Sequence, residues 1–140
     1  MKIPINMANR CACWAADGFD LAAHILDDDC PGLSHLGDFD TTWREGAIPH
    51  KGGRDSYPYF IPANPEYGAQ DYARLCDYGN GWCAVGVCVT ASAKGIELGR
   101  ASLWGIDSDS GGDYFADVAE ELAAEALASA EAKLKELQAI

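Results

Sequence analysis

Acidic side chains dominate the charge of this chain. Its 140 residues include 22 Asp and Glu against 10 Lys and Arg, a formal net charge of −12 at pH 7. Such a surface repels nucleic acids and anionic membranes, so direct binding to either is disfavoured, and it attracts basic proteins and cations. Hydrophobic residues make up 49% of the chain, which excludes wholesale disorder and predicts a single domain over residues 1–140.

The N-terminal segment lacks the apolar run of a signal peptide. No later segment approaches the ~20 apolar residues of a membrane span. We therefore expect a cytoplasmic protein whose six cysteines are reduced thiols.

The first predicted element is a helix over residues 15–26. Asp17 lies near its start, and the Cys-Pro-Gly segment 30–32 ends it. The acids of residues 27–29 at its C-terminus oppose the helix dipole, which suggests that they have a role other than helix stability. The alternative is that the helix stops at Leu26. The apolar residues near helical spacing are Phe19, Ala22, Ala23, Ile25 and Leu26.

The segment from 33 to 62 is less regular. β-Branched and aromatic residues predict a short strand around residues 41–43, and residues 50–54 are expected to form a locally basic loop. The prolines of residues 57–62 confine this extended segment to a sheet edge or to irregular chain.

A middle helix is predicted next. Asn64 suits the N-cap, Pro65 the first helical position and Glu66 the first turn. This helix is expected to run to about Tyr78, with Gly79 as its stop.

A β-hairpin over residues 82–106 is the clearest element. Apolar residues alternate along its first strand, and Lys94-Gly95 suits a two-residue turn. The expected pairs are Ala93 with Ile96, Ala91 with Leu98, Val85 with Trp104 and Cys83 with Ile106.

A long C-terminal helix follows, with Ser110 as its expected N-cap and Asp113 three residues later. The fold class is therefore α+β: an antiparallel sheet built on the hairpin, packed by this long helix and by shorter N-terminal and middle helices. The stripe expected to face the hairpin is Phe115, Val118, Ala119, Leu122, Ala126, Ala130, Leu134 and Leu137.

Two kinds of metal site have partial support. Asp107, Asp109 and Gly112 match positions 1, 3 and 6 of a calcium loop, but the ligands at positions 5 and 12 are missing, so helix capping is the better interpretation. Zinc accepts the side chains of Cys11, Cys13, His24 and Cys30, but their spacing matches no common zinc finger, and His24 falls inside a predicted helix. No metal or other cofactor is therefore expected.

Acids recur one turn apart on the C-terminal helix. Asp117, Glu121 and Glu125 would follow one another about 6 Å apart along its axis. This resembles the phosphate spacing along one nucleic-acid strand, ~3.4 to 7 Å. Like charges at this spacing slightly destabilise a helix, so stability alone does not explain the pattern. No catalytic residues are expected, and the expected partner-binding residues are Asp27, Asp28, Asp29, Asp107, Asp109, Asp113, Asp117, Glu120, Glu121 and Glu125.

Residues 82–128 resemble small proteins carried by bacteriophages and prophages. The shared order is a valine-rich strand, the segments GIELG at 95–99 and ASLWGIDSD at 101–109, and an acidic helix. The resemblance covers about a third of the chain and brings no catalytic residues. It implies a phage-type protein in the cytoplasm of a host bacterium, a setting in which small acidic proteins often inhibit defence systems, as anti-CRISPR and anti-restriction proteins do.

We therefore expect a non-enzymatic inhibitor that binds a basic, nucleic-acid-binding host defence complex, with mimicry of nucleic acid as one way to do so. One alternative is a small metal- or thiol-dependent enzyme that uses the same four Cys and His residues. Another is a phage structural or regulatory module that forms a homodimer through aromatic residues.

Overall fold

The computed structural model describes residues 2–50 and 57–140, which divide between two compact units, Met1–Asp29 with Cys83–Ile140 and Cys30–Trp82. The predicted α+β class is confirmed. The single domain stays a prediction, and residues 51–54 of the predicted basic loop lie outside the described residues. The elements are β1 Cys11–Ala16, β2 Phe19–Asp27, β3 Gly37–Asp40, β4 Ile48–Pro49, β5 Tyr59–Pro62, a 3-10 helix Pro65–Tyr67, α1 Gly68–Cys76, β6 Ala84–Ala93, β7 Ile96–Asp107 and α2 Gly112–Gln138.

The first unit is an antiparallel sheet with α2 packed on one face. Its strand order is β1-β2-β6-β7, so the predicted hairpin supplies half of the sheet. Burial of apolar surface between sheet and helix, rather than helix propensity, holds α2 in place. The core includes Phe19, Leu21, Ala23 and Ile25 of β2, Val85, Val87, Val89 and Ala91 of β6, and Phe115, Ala119, Leu122 and Ala126 of α2.

The predicted N-terminal helix is wrong, because residues 15–26 belong to the hairpin of β1 and β2. Side chains at positions 19, 21, 23 and 25 are buried, while those at 20, 24 and 26 are exposed, which is the alternation of a strand. The sequence pattern was ambiguous, because the adjacent apolar residues Ala22 and Ala23 are compatible with the period of a helix and with that of a strand. Asp17 and Gly18 join the strands with φ values of 54° and 83°, the left-handed pair that a type I′ turn requires and that Asp-Gly favours.

The hairpin of β6 and β7 is confirmed, with Lys94-Gly95 as its turn. The predicted register is correct only next to the turn, because two irregularities each insert one residue into β7. As a result, Leu98, Trp104 and Cys83 do not have their predicted partners. The observed pairs are Ala93 with Ile96, Ala91 with Gly99, Val89 with Ala101, Val87 with Leu103 and Val85 with Ile106.

The start of α2 differs from the prediction. Its N-cap is Gly111 rather than Ser110, and no side chain forms a capping hydrogen bond. Asp113 lies in the first turn, where its charge interacts favourably with the helix dipole. The apolar stripe is buried as far as Ala130, and the half-buried Leu134 still packs against the core. Leu137 is 46% exposed, so the predicted stripe is one turn too long. No helix among the described residues is long and apolar enough to cross a membrane.

The second unit contains a small antiparallel sheet of order β3-β5-β4, and α1 packs against β4 and β5. The short strand predicted around residues 41–43 is wrong, because β3 ends at Asp40 and the next strand, β4, begins at Ile48. The Asp40 carboxylate accepts hydrogen bonds from the backbone N–H groups of Thr41 and Thr42, at 2.7 and 3.2 Å, and so satisfies donors that a strand would offer to its neighbour.

The predicted edge position of residues 57–62 is also wrong, since β5 is the central strand of this sheet. Its prolines are compatible with that place because Pro58 precedes the strand and Pro62 is its last residue. The middle helix is confirmed: Asn64 caps the 3-10 turn by accepting from the Glu66 N–H. α1 ends two residues before the predicted Tyr78.

Candidate functional site

The outward face of α2 carries acids that project into solvent. Asp117, Glu121 and Glu125 are exposed, and Glu120 is half-buried. The helical period places the first three in a row at intervals of four residues, on the side away from the core stripe. In residues 2–50 and 57–140, no Lys or Arg forms an ion pair with any of these three carboxylates. Because the opposite face is packed on the sheet, this row is held by a rigid element.

The acids nearest the start of α2 are partly compensated by Lys2. Its ammonium group donates a hydrogen bond to Asp113 and forms an ion pair with it. That hydrogen bond and the Asp113 charge raise the pKa of Lys2, and the charges of Asp117 and Glu120 raise it further. Asp113 is therefore paired directly with Lys2, whereas Asp117 is influenced by Lys2 only through its charge, and Glu121 and Glu125 form no ion pair among the described residues.

The acids of residues 27–29 lie at the end of β2. The prediction that they oppose a helix dipole is therefore wrong, because they follow a strand and not a helix. The Asp27 carboxylate pairs with Arg10 at 3.0 Å. The Asp28 carboxylate accepts the backbone N–H of Gly105 at 3.1 Å, which fixes the irregular segment of β7. Asp29 is exposed. Two of these three predicted partner-binding acids therefore have contacts within the first unit.

Asp107 and Asp109 lie at the junction of β7 and α2. Asp107 is the last residue of β7, and its carbonyl oxygen accepts the Ser110 N–H at 3.0 Å. Both acidic residues have further interactions within the chain. Within the part of the chain that the structure describes, no group of three or more His, Cys, Asp or Glu residues could hold a metal ion.

The face of the four-stranded sheet that does not contact α2 brings together residues that are far apart in the sequence. Cys11 lies directly opposite His24, and His24 lies opposite Cys88 on its other side. Cys11, Cys13 and His24 are exposed, while Cys88 is 5% exposed and accepts a hydrogen bond from the Arg100 guanidinium, 3.5 Å from its Sγ. We call Cys11, Cys13, His24 and Cys88 the thiol face.

Sequence reasoning missed the thiol face because it assigned His24 to a helix. The Asp-Gly pair at residues 17–18 was the available signal, since it predicts the hairpin that places Cys11 and His24 side by side. Cys30, the fourth residue of the predicted zinc set, belongs to the second unit.

Comparison of the chain with protein-family models, with curated proteins and with solved structures found no match.

Proposed function

We propose that this protein is a non-enzymatic, phage-type inhibitor that binds a basic, nucleic-acid-binding host defence complex through the outward face of α2. The observation that carries the proposal is the row of exposed carboxylates at Asp117, Glu121 and Glu125, which have no ion-pair partner among the described residues. Repulsion between such acids disfavours the helix slightly, so their arrangement calls for a reason outside helix stability.

The proposed partner surface follows from the chemistry of this row. Carboxylates about 6 Å apart along a helix suit a groove lined with Lys and Arg that ordinarily binds phosphates. Charge complementarity of this kind accelerates association and sets specificity. The proposal therefore centres on Asp117, Glu121 and Glu125, while Asp27, Asp28 and Asp113 have their own contacts within the chain and take a secondary role.

The experiment measures binding of the purified chain to purified CRISPR and restriction complexes, at about 50 and 300 mM NaCl. Screening shortens the range of electrostatic attraction over this interval, so we expect binding to weaken steeply with salt. The double substitution Glu121→Lys with Glu125→Lys is expected to abolish binding at both salt concentrations.

The matched control is Glu45→Lys with Glu66→Lys, two exposed acids of the second unit. Both double variants change the net charge from −12 to −8. If the control weakens binding as much as the α2 variant, the attraction comes from total charge rather than from this face. Binding that is insensitive to salt, or absent for every basic complex, would contradict the proposal.

A further inference from the structure

We propose that β1 is the interface through which two copies of this chain form a homodimer, by antiparallel pairing of β1 with β1 of the second copy. Residues 11–16 form an edge strand of the first unit, because the β1–β2 hairpin takes the place of the predicted N-terminal helix. This interface is independent of the outward face of α2.

The outer edge of β1 presents a row of unpaired backbone groups. The Arg10 carbonyl oxygen accepts the Ile25 N–H at 2.8 Å, so the even-numbered residues of this segment direct their backbone groups towards β2. The N–H and C=O groups of Cys11, Cys13 and Ala15 therefore point away from the sheet. Within residues 2–50 and 57–140, none of these groups has a hydrogen-bond partner. Such a row can pair with another strand.

The two edges of this sheet differ in how well they are protected from pairing. β7, at the opposite edge, contains two irregularities and the ion pair of Glu97 with Arg100, at 2.8 Å. Bulges and charged side chains are means by which natural edge strands avoid pairing. β1 has the sequence CACWAA, without a charged residue or a proline, and its pairing with β2 is regular. In a chain of net charge −12, the uncharged β1 is therefore the edge suited to pairing.

A second copy of β1 fits this edge best in one register. With Cys13 opposite Cys13 of the second copy, Cys11 lies opposite Ala15, and every facing pair can exchange both of its N–H···O bonds. Trp14 of one copy then lies opposite the small Ala12 of the other, on the face that carries the core. A shift by two residues in either direction would leave one outward-pointing residue of each β1 without a partner.

The two ends of β1 have opposite charges. Arg10 precedes the strand, and the exposed Asp17 follows it. Antiparallel pairing brings the Arg10 end of each copy next to the Asp17 end of the other. Arg10 is paired with Asp27 through Nη2 and its side chain remains 37% exposed, so the guanidinium retains donors for a second carboxylate. This charge complementarity favours a second copy of β1 as the strand that is added.

Cys13 provides a covalent probe of this register. Facing residues that exchange hydrogen bonds have Cα atoms about 5.5 Å apart, within the range of about 4.4 to 6.8 Å that a disulfide spans. The oxidant diamide should therefore cross-link the two Cys13 thiols of a dimer. The thiols lose two hydrogen atoms to diamide, whose N=N bond is reduced to a hydrazine, and an S–S bond forms.

The test is sedimentation equilibrium of the full, reduced chain over a range of concentrations, at about 300 mM NaCl so that the net charge is screened. We expect a reversible equilibrium between monomer and dimer, which is weak because the interface is small. Cys13→Lys places like charges opposite each other and should lower the association constant by about tenfold or more. Ser102→Lys is the matched control, since Ser102 is exposed on the same face of the sheet but belongs to β7.

Diamide treatment checks the register. We expect a cross-linked dimer for the parent chain, for Cys11→Ser and for Cys76→Ser, but not for Cys13→Ser. Circular dichroism checks that each variant retains the fold. A chain that stays monomeric up to millimolar concentrations would overturn the proposal. So would a dimer that Ser102→Lys weakens as much as Cys13→Lys, or a yield of cross-linked dimer that Cys13→Ser leaves unchanged.

Discussion

Two glycines of the first unit have neighbours of different kinds. A Cβ at Gly99 would lie 2.1 Å from the Ala126 carbonyl oxygen and 2.8 Å from the Ala130 nitrogen, both in the backbone of α2. A Cβ at Gly86 would lie 2.2 Å from Cε3 of Trp104, a residue that is 47% exposed. Helix backbone can yield only if α2 moves, whereas an exposed indole can swing aside. We expect Gly99→Ala to lower the free energy of unfolding by about 2 to 3 kcal/mol and Gly86→Ala by about 1 kcal/mol.

Urea denaturation of both variants measures this difference. A double-mutant cycle of Gly86→Ala with Trp104→Ala adds a control, because removal of the indole should eliminate the steric cost at Gly86. Equal losses for the two glycine variants would show that the distinction between backbone and side-chain neighbours is wrong.

The Asp40 carboxylate gives a prediction on acid stability. The backbone N–H groups of Thr42 and Thr41 hold its pKa below the ordinary value, and Arg44 adds to the effect. A carboxyl whose pKa is lowered by folding contributes stability above its unfolded pKa of about 3.9, and this contribution is lost as the pH falls through the folded pKa. Asp40→Asn should therefore lose less stability than the parent chain below about pH 4. NMR titration of the Asp40 carboxyl checks the cause, and a pKa at or above the ordinary value would contradict it.

At the scale of elements, the two hairpin turns of the first unit have similar conformations but different residues. Asp17-Gly18 and Lys94-Gly95 both have positive φ at both positions, with Lys94 at 52°. Asn and Asp adopt this region more readily than Lys does. We expect Lys94→Asn to raise the free energy of unfolding by about 0.5 kcal/mol. Asp17→Asn is the control and should change it little, and a urea midpoint that falls for Lys94→Asn would contradict the argument.

Elements whose signals are local could be predicted from the sequence. The β6–β7 hairpin has an alternating strand and a two-residue turn, and the middle helix has its Asn64 cap. The register of β7 could not be predicted, because Gly99 replaces Leu98 opposite Ala91 where the strand approaches α2 closely. The N-terminal helix failed because Ala22 and Ala23 satisfy both periods, and only the Asp-Gly turn distinguishes them.

The same limit applies to the candidate sites. The row of acids on α2 could be predicted because helical spacing is a local property. The partners that engage other acids lie far away in sequence: Arg10 is 17 residues from Asp27, and Lys2 is 111 residues from Asp113. No spacing pattern indicates such pairs. The thiol face likewise depends on the pairing of three strands.

At the scale of the whole molecule, the net charge of −12 means that repulsion between carboxylates opposes folding. Glu121 contributes locally, since Asp117 and Glu125 lie four residues before and after it on α2. Glu121→Lys converts two repulsions, each worth about 0.2 to 0.5 kcal/mol, into two attractions of similar size. We expect this variant to be more stable than the parent chain by about 1 to 2 kcal/mol at low salt.

Urea midpoints at about 20 and 500 mM NaCl test the origin of this gain, because screening should reduce it at the higher concentration. Glu66→Lys changes the net charge equally in the second unit, and it should stabilise the chain less. A loss of stability for Glu121→Lys would mean that the parent residue is favourable within the fold. The variant is instead expected to be more stable and to lose its binding to a basic complex. In that case Glu121 opposes folding and favours association, as expected of a residue that is retained for binding a partner.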